Sequence, residues 1–227
     1  MKTRSSSTSA FSLIELFIVV LLIAVMAAFA LSTPSTIVKG SYLSQAEHLL
    51  TDQFKFARQE AMTRNHHVEV RLIRYGDPET PGESAGDPSS GYYRAIQLFE
   101  VLENGSIVQL DKAQLLPQGI IISPDEHSTL LTHADLQPPL RATRTSSDDH
   151  PGADPALPRG VDWNYEYVAF RFHPEGGTNL NSTNGVSWCA TLRRLVDRPN
   201  GSKPPDNFVT LQLDPVAGTV RLFRPSL

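Results

Sequence analysis

The chain has 227 residues, with 20 basic against 24 acidic side chains and a formal charge of −4. That balance argues against a general nucleic-acid coat, which needs excess positive charge to attract phosphate. The only cysteine, Cys189, cannot close an internal disulfide, so an exported fold must be held by its core or by other non-covalent contacts.

Residues 1–10 are polar, carry Lys2 and Arg4 and contain no acid, so the positive-inside bias keeps them in the cytoplasm. Residues 11–31 are apolar apart from Ser12 and Glu15, and about 20 such residues span a bilayer. Without Lys2 and Arg4 the remaining chain holds 18 basic and 24 acidic residues, a charge near −6. A carboxylate within a membrane span costs about 2.5 to 3.5 kcal/mol on insertion scales, so Glu15 needs a cationic partner. A cut between Ala10 and Phe11 would free an α-amine four residues ahead of Glu15, within reach of a neighbouring subunit's carboxylate in a packed bundle. Two plainer readings compete. One is an ordinary secretory signal ending at Ala28-Phe29-Ala30, although the unbroken apolar run 16–31 exceeds the core of about 7 to 15 residues expected there. The other is a simple membrane anchor, which the length allows.

Past the span, Pro34 in the polar stretch 32–35 is expected to kink or break the helix. Leu43, Ala46, Leu50, Phe54, Ala57 and Ala61 then recur at spacings of three and four, with Glu47, Lys55, Arg58 and Glu60 off that stripe. The pattern predicts an amphipathic helix over 32–65. Small Ala57 and Ala61 would let a sheet approach closely.

From 66 to 227 the period changes to two. Val68, Val70 and Leu72 alternate with Glu69 and Arg71, which predicts a half-buried strand over 67–73. Strands at 94–102 and 107–110 flank Asn104-Gly105, a strong hairpin signal. A turn and short apolar strand follow at 115–122, and further strands at 167–172, 186–196, 208–213 and 219–223. One helix followed by many strands predicts an antiparallel α+β fold. Gly-, Pro- and Ser-rich stretches at 75–91 and 123–162 are expected loops, with partial disorder over 141–160.

The segment Ala10-Phe11-Ser12-Leu13-Ile14-Glu15-Leu16 after a short basic leader resembles the class III signal of the type IV pilin and type II secretion pseudopilin superfamily. It departs from that signal in having Ala10 where the family usually has Gly. Ala57-Arg58-Gln59-Glu60-Ala61 running into a strand, Phe172-His173-Pro174-Glu175-Gly176, and Gly218-Thr219-Val220-Arg221 are similar to elements of the minor pseudopilin H and FimT-like branch. The resemblance is tight over 10–31, fair over 43–73 and 168–224, and absent across the loops. It implies a pilin-like α+β fold, a long N-terminal helix laid on antiparallel sheets. It also implies cleavage between Ala10 and Phe11 by a prepilin peptidase, N-methylation of Phe11, and an assembly role for Glu15. The implied partners are that peptidase/methyltransferase, other pilin or pseudopilin subunits, an inner-membrane assembly platform and the lipid bilayer. The implied location is the bacterial inner membrane, single-pass, with the β-domain in the periplasm.

No motif calls for a cofactor or a catalytic group, so the expectation is a non-enzymatic protein. His66-His67, Glu126-His127 and Asp148-Asp149-His150 contain ligand-type residues but lack the i, i+4 or paired-cysteine spacing of a zinc site, and no metal is expected. The C-terminal stretch 186–227 has a local positive excess that includes Arg193, Arg194, Arg221 and Arg224. Some FimT-like pilins capture DNA with arginines in this region, so DNA is the alternative partner, with Trp188 and Phe223 as possible stacking rings. Binding phosphates would need these arginines on one face, and a merely solvated strand face is the plainer explanation.

Overall fold

The computed structural model describes residues 13–31, 35–141, 157–182, 185–200, 203 and 205–225. The chain forms two compact units, Met1–Lys39 and Gly40–Leu227. In the first, α1 (Leu13–Leu31) is apolar around its whole circumference apart from Glu15 in its first turn. The expected break at Pro34 lies outside the described residues.

In the second unit, the last turns of α2 (Ser35–Arg64) bury Leu43, Ala46, Leu50, Phe54, Ala57 and Ala61. This is the stripe that the three- and four-residue spacing marks. It lies on a sheet that among the described residues has ten antiparallel strands: β1 (His67–Tyr75), β2 (Tyr92–Val101), β3 (Ile107–Gln109), β4 (Gln114–Leu115), β5 (Ile120–Ile122), β6 (Leu140–Arg141), β7 (Glu166–Phe172), β8 (Trp188–Arg194), β9 (Phe208–Leu213) and β10 (Val220–Phe223). Their order is β10-β9-β8-β5-β2-β1-β7-β6, with β3 and β4 also paired to β2. The helix covers one face, where Val70, Leu98, Phe170, Phe172, Trp188, Leu192 and Leu211 join its stripe in one core. The Phe54 and Phe170 rings meet edge to face, 5.6 Å apart, which fixes the helix against the centre of the sheet.

The expected hairpin is present: β2 pairs with β3 around Asn104-Gly105, where Gly105 takes φ +81°. Two expectations need correction. β1 is buried on both faces rather than one, because Val161, Tyr165 and Tyr167 build a second core over its outer side. Glu69 and Arg71 are therefore buried, and they satisfy each other with an Arg71 Nε to Glu69 Oε1 bond of 2.7 Å. The Arg71 guanidinium is sandwiched between Phe99 and Tyr167, 4.3 and 4.2 Å from their ring centres. Glu47, expected on the polar side of α2, is also buried, because Arg224 reaches back from beyond β10 to pair with it.

The loop at 76–91 is ordered by charge. Arg94 donates to Asp77 Oδ2 at 3.0 Å and to Glu83 Oε1 at 2.8 Å, and Glu83 accepts from the Asp77 backbone N–H. In the second expected loop, a turn of helix α3 (Thr129–Thr132) packs on β8 and bonds to it, with Thr191 N–H donating to Ser128 Oγ. Most of the expected disorder over 141–160 falls at 142–156, outside the described residues.

Candidate assembly surface and arginine positions

Every large apolar side chain of α1 over 13–26 is exposed, from 44% at Val19 to 86% at Leu13. Contiguous apolar surface of this kind is unfavourable in water at about 25 cal/mol per Å² and seldom exceeds a few hundred Å² on a monomer. Among the described residues no helix is long and apolar enough to cross a membrane; the side chains of α1 are described over 13–27. Glu15 sits in the first turn of α1, where the helix dipole favours an anion. Ala10 and Phe11, the expected cleavage pair, lie outside the described residues.

The three segments singled out in the β-domain and its helix converge on one side chain. Arg58 of α2 shares its Nε–H between the carbonyls of Gly176, at 3.1 Å, and Ala217, at 3.0 Å. Gly176 closes the turn after β7 with φ +90°, and Gly218 closes the β9–β10 hairpin with φ +63°. Both are backbone conformations that glycine adopts without steric cost. Asp214 caps the second turn by accepting from the Val216 and Ala217 backbone N–H groups at 2.9 and 3.0 Å. Those bonds, Ala217's foremost, hold its carboxyl below the usual carboxylate range. The Thr178 N–H donates to the Pro215 carbonyl at 2.8 Å, tying the two turns together. Each motif taken alone looks like a local turn or helix signal, and nothing in their spacing announces a shared contact.

The four arginines proposed for DNA are not gathered. In the ladder Arg193 lies opposite Phe208, and Arg221 lies opposite Gln212, itself opposite Cys189. Arg193 and Arg221 thus share the face away from α2 but sit roughly 13 Å apart along the strands, at about 3.3 Å per residue. Arg194 and Arg224 belong to the opposite face, where Arg224 engages Glu47 and Ser44 of α2. Arg193 is buried. It donates to Ser123 Oγ at 2.6 Å and to the Asp197 and Arg194 carbonyls at 2.8 and 3.1 Å, and burial lowers its pKa. Arg194 lies 3.7 Å from Asp197, and Arg221 is exposed. Of the two aromatic candidates, Trp188 is wholly buried with its indole N–H donated to the Asn181 carbonyl, and Phe223 is half exposed.

His66 Nδ1 lies 2.6 Å from Glu100 Oε1, and Arg64 donates to the same carboxylate at 3.0 Å. Asp148, Asp149 and His150 lie outside the described residues. Cys189 is half-buried, and burial raises its thiol pKa, which disfavours the reactive thiolate.

No protein-family model matches the chain, and no curated protein matches it. Two solved structures are similar in part. The type IV minor pilin FimU of Pseudomonas aeruginosa aligns at 11% identity and a TM-score of 0.38, over 82% of this chain and 90% of its own. The minor pseudopilin EpsH of the type II secretion system of Vibrio cholerae aligns at 12% identity and a TM-score of 0.36, over 84% of this chain and 98% of its own. Likeness of that order shows neither family nor function.

Proposed function

We propose that this chain is a non-enzymatic minor subunit of an envelope filament of the type IV pilus or type II secretion kind. It is made as a precursor, cut between Ala10 and Phe11 by a prepilin peptidase and N-methylated on Phe11. In this reading residues 11–31 hold the subunit in the inner membrane, with the β-domain outside, until the assembly platform extracts it. The observation that carries the proposal is the basic leader joined in sequence to Phe11-Ser12-Leu13-Ile14-Glu15-Leu16, together with the exposed apolar surface that α1 presents over 13–26. Lipid satisfies that surface before assembly and the helices of neighbouring subunits satisfy it afterwards. Glu15 sets the register, because an anion in an apolar bundle is tolerated only next to a cation such as a neighbour's terminal amine.

Mass spectrometry of the protein isolated from cells with an active processing enzyme tests this reading. The expected mature chain begins at a methylated Phe11, and an intact Met1 or a start at Leu31 overturns it. Glu15→Ala is expected to leave the precursor in the membrane but abolish its incorporation into filaments. The alternative, a DNA-capturing pilin using Arg193, Arg194, Arg221 and Arg224, finds little support in a sheet that divides these residues between two faces. A salt-dependent gel shift at low ionic strength would favour it.

A further inference from the structure

β1 and β7 pair antiparallel with Val68 opposite Phe172, so the next residues outward, His67 and His173, end the two strands side by side. Their Nδ1 atoms are 2.9 Å apart, and their rings meet at 78° with centres 4.9 Å apart. The backbone on both sides is fixed. His67 is paired across β2 to Val101, and His173 donates its N–H to the Gly177 carbonyl and accepts at its own carbonyl from the Gly176 N–H. The turn closed by Gly176 is one of the two gripped by Arg58. Both imidazoles are half-buried, so their outer sides reach water.

Two neutral imidazoles at this separation can share one hydrogen, one Nδ1–H donating to the other ring's lone pair. When both hydrogens sit on Nε2, both Nδ1 lone pairs point into the same small space. Nitrogen ligands lie about 2.0 to 2.1 Å from a divalent ion such as zinc. Two cis ligands at a right angle are then separated by about 2.9 Å, and two at a tetrahedral angle by about 3.3 Å. The observed separation fits the right angle, which is the tetragonal geometry of Cu(II) and Ni(II).

We propose that His67 and His173 form a binding site for a divalent transition-metal ion, tightest for Cu(II), with both Nδ1 atoms as ligands and water completing the shell. Water is required because, among the described residues, no group of three or more His, Cys, Asp or Glu side chains is placed to hold a metal. On binding, the hydrogen shared between the rings moves through solvent to Nε2, so the neutral pair releases no net proton. The ion then cross-links the ends of β1 and β7. Two other imidazoles are engaged elsewhere through Nδ1: that of His66 faces Glu100, and that of His133 accepts from the Asp135 N–H.

The test is titration of the full-length detergent-purified chain with CuCl2, NiCl2 and ZnCl2 by calorimetry, with electron paramagnetic resonance of the copper complex. Expected are one ion per chain, copper bound more tightly than nickel or zinc, and coupling to two nitrogens. His67→Ala and His173→Ala are each expected to weaken copper binding by at least the roughly 10- to 100-fold that losing even an outer-shell partner costs. His66→Ala and His133→Ala leave it unchanged. Unchanged copper binding in the two single variants, or no one-to-one binding in the wild type, overturns the proposal. A measurement needing no variant guards against misfolding. Copper is expected to protect His67 and His173 of the wild-type chain, and not His66, from diethylpyrocarbonate, and equal modification with and without copper also overturns it.

Discussion

Gly218 lies so close to Gly176 that a β-carbon built on it would stand 2.0 Å from the Gly176 carbonyl oxygen. The two turns that flank the sheet's far strands touch backbone to backbone there, and the side chain of Arg58 seals the contact from the helix side. The junction ties α2, the end of β7 and the β9–β10 hairpin into one body.

Gly218→Ala is therefore expected to be far more damaging than an alanine at another left-handed glycine. Gly82, at φ +89° with open space around it, should lose about 1 kcal/mol to backbone strain alone. Gly218 adds a collision with backbone that cannot move without opening the junction, and should lose more than about 3 kcal/mol. Denaturant unfolding followed by tryptophan fluorescence measures both, and equal losses would disprove the contact.

Arg58→Ala removes a charged donor shared by two carbonyls. Hydrogen bonds to charged groups contribute about 1.5 to 3 kcal/mol, and partial exposure puts the expected loss near 2 kcal/mol. The same unfolding assay checks it. A double variant with Gly218→Ala should lose less than the sum of the two, because both break one junction.

Among the described residues, Arg71→Met leaves buried Glu69 with only Arg171, itself 41% exposed, as its cation. Breaking a buried pair costs about 3 to 5 kcal/mol, and the remaining Arg171 contact places the loss near the lower end. Adding Glu69→Gln should recover part of it, since the stranded charge is then gone. A double variant less stable than Arg71→Met would contradict this account.

Asp214 links stability to pH. Its carboxyl pKa is lowered in the folded chain, first by the Ala217 N–H and then by the Val216 N–H. The folded state thus holds the proton less readily than the unfolded state. The contribution is complete above the unfolded value of about 3.9 and is lost as pH falls through the lower folded value. Asp214→Asn should flatten that part of the acid unfolding curve while leaving its slope above pH of about 5 unchanged.

Much of the helix and sheet was legible beforehand because periodicity reports burial on a regular element. The stripe from Leu43 to Ala61 needed only the 3.6-residue period to be found, and Asn104-Gly105 needed only the turn geometry that its backbone permits. The same logic failed at Glu69, Arg71 and Glu47. A charged residue on an alternating strand or helix suggests solvent until a distant segment covers it with a partner. For Glu47 that partner is Arg224, 177 residues away. The placement of the C-terminal arginines was not legible for a related reason: a net charge counts residues, whereas a binding face depends on strand register.

The order of polar leader, apolar run and early acid, together with the amphipathic and alternating patterns after it, was determined by the amino-acid sequence, because each depends on neighbours within a few residues. Which charges are buried together, which arginines share a face, that Arg58 joins two glycine turns, and that His67 meets His173 were decided only by the tertiary structure. The Glu47–Arg224, Arg58–Gly176, Arg58–Ala217 and His67–His173 contacts join residues 106 to 177 positions apart, and at that distance a side chain's partner is chosen by packing and register rather than by local period.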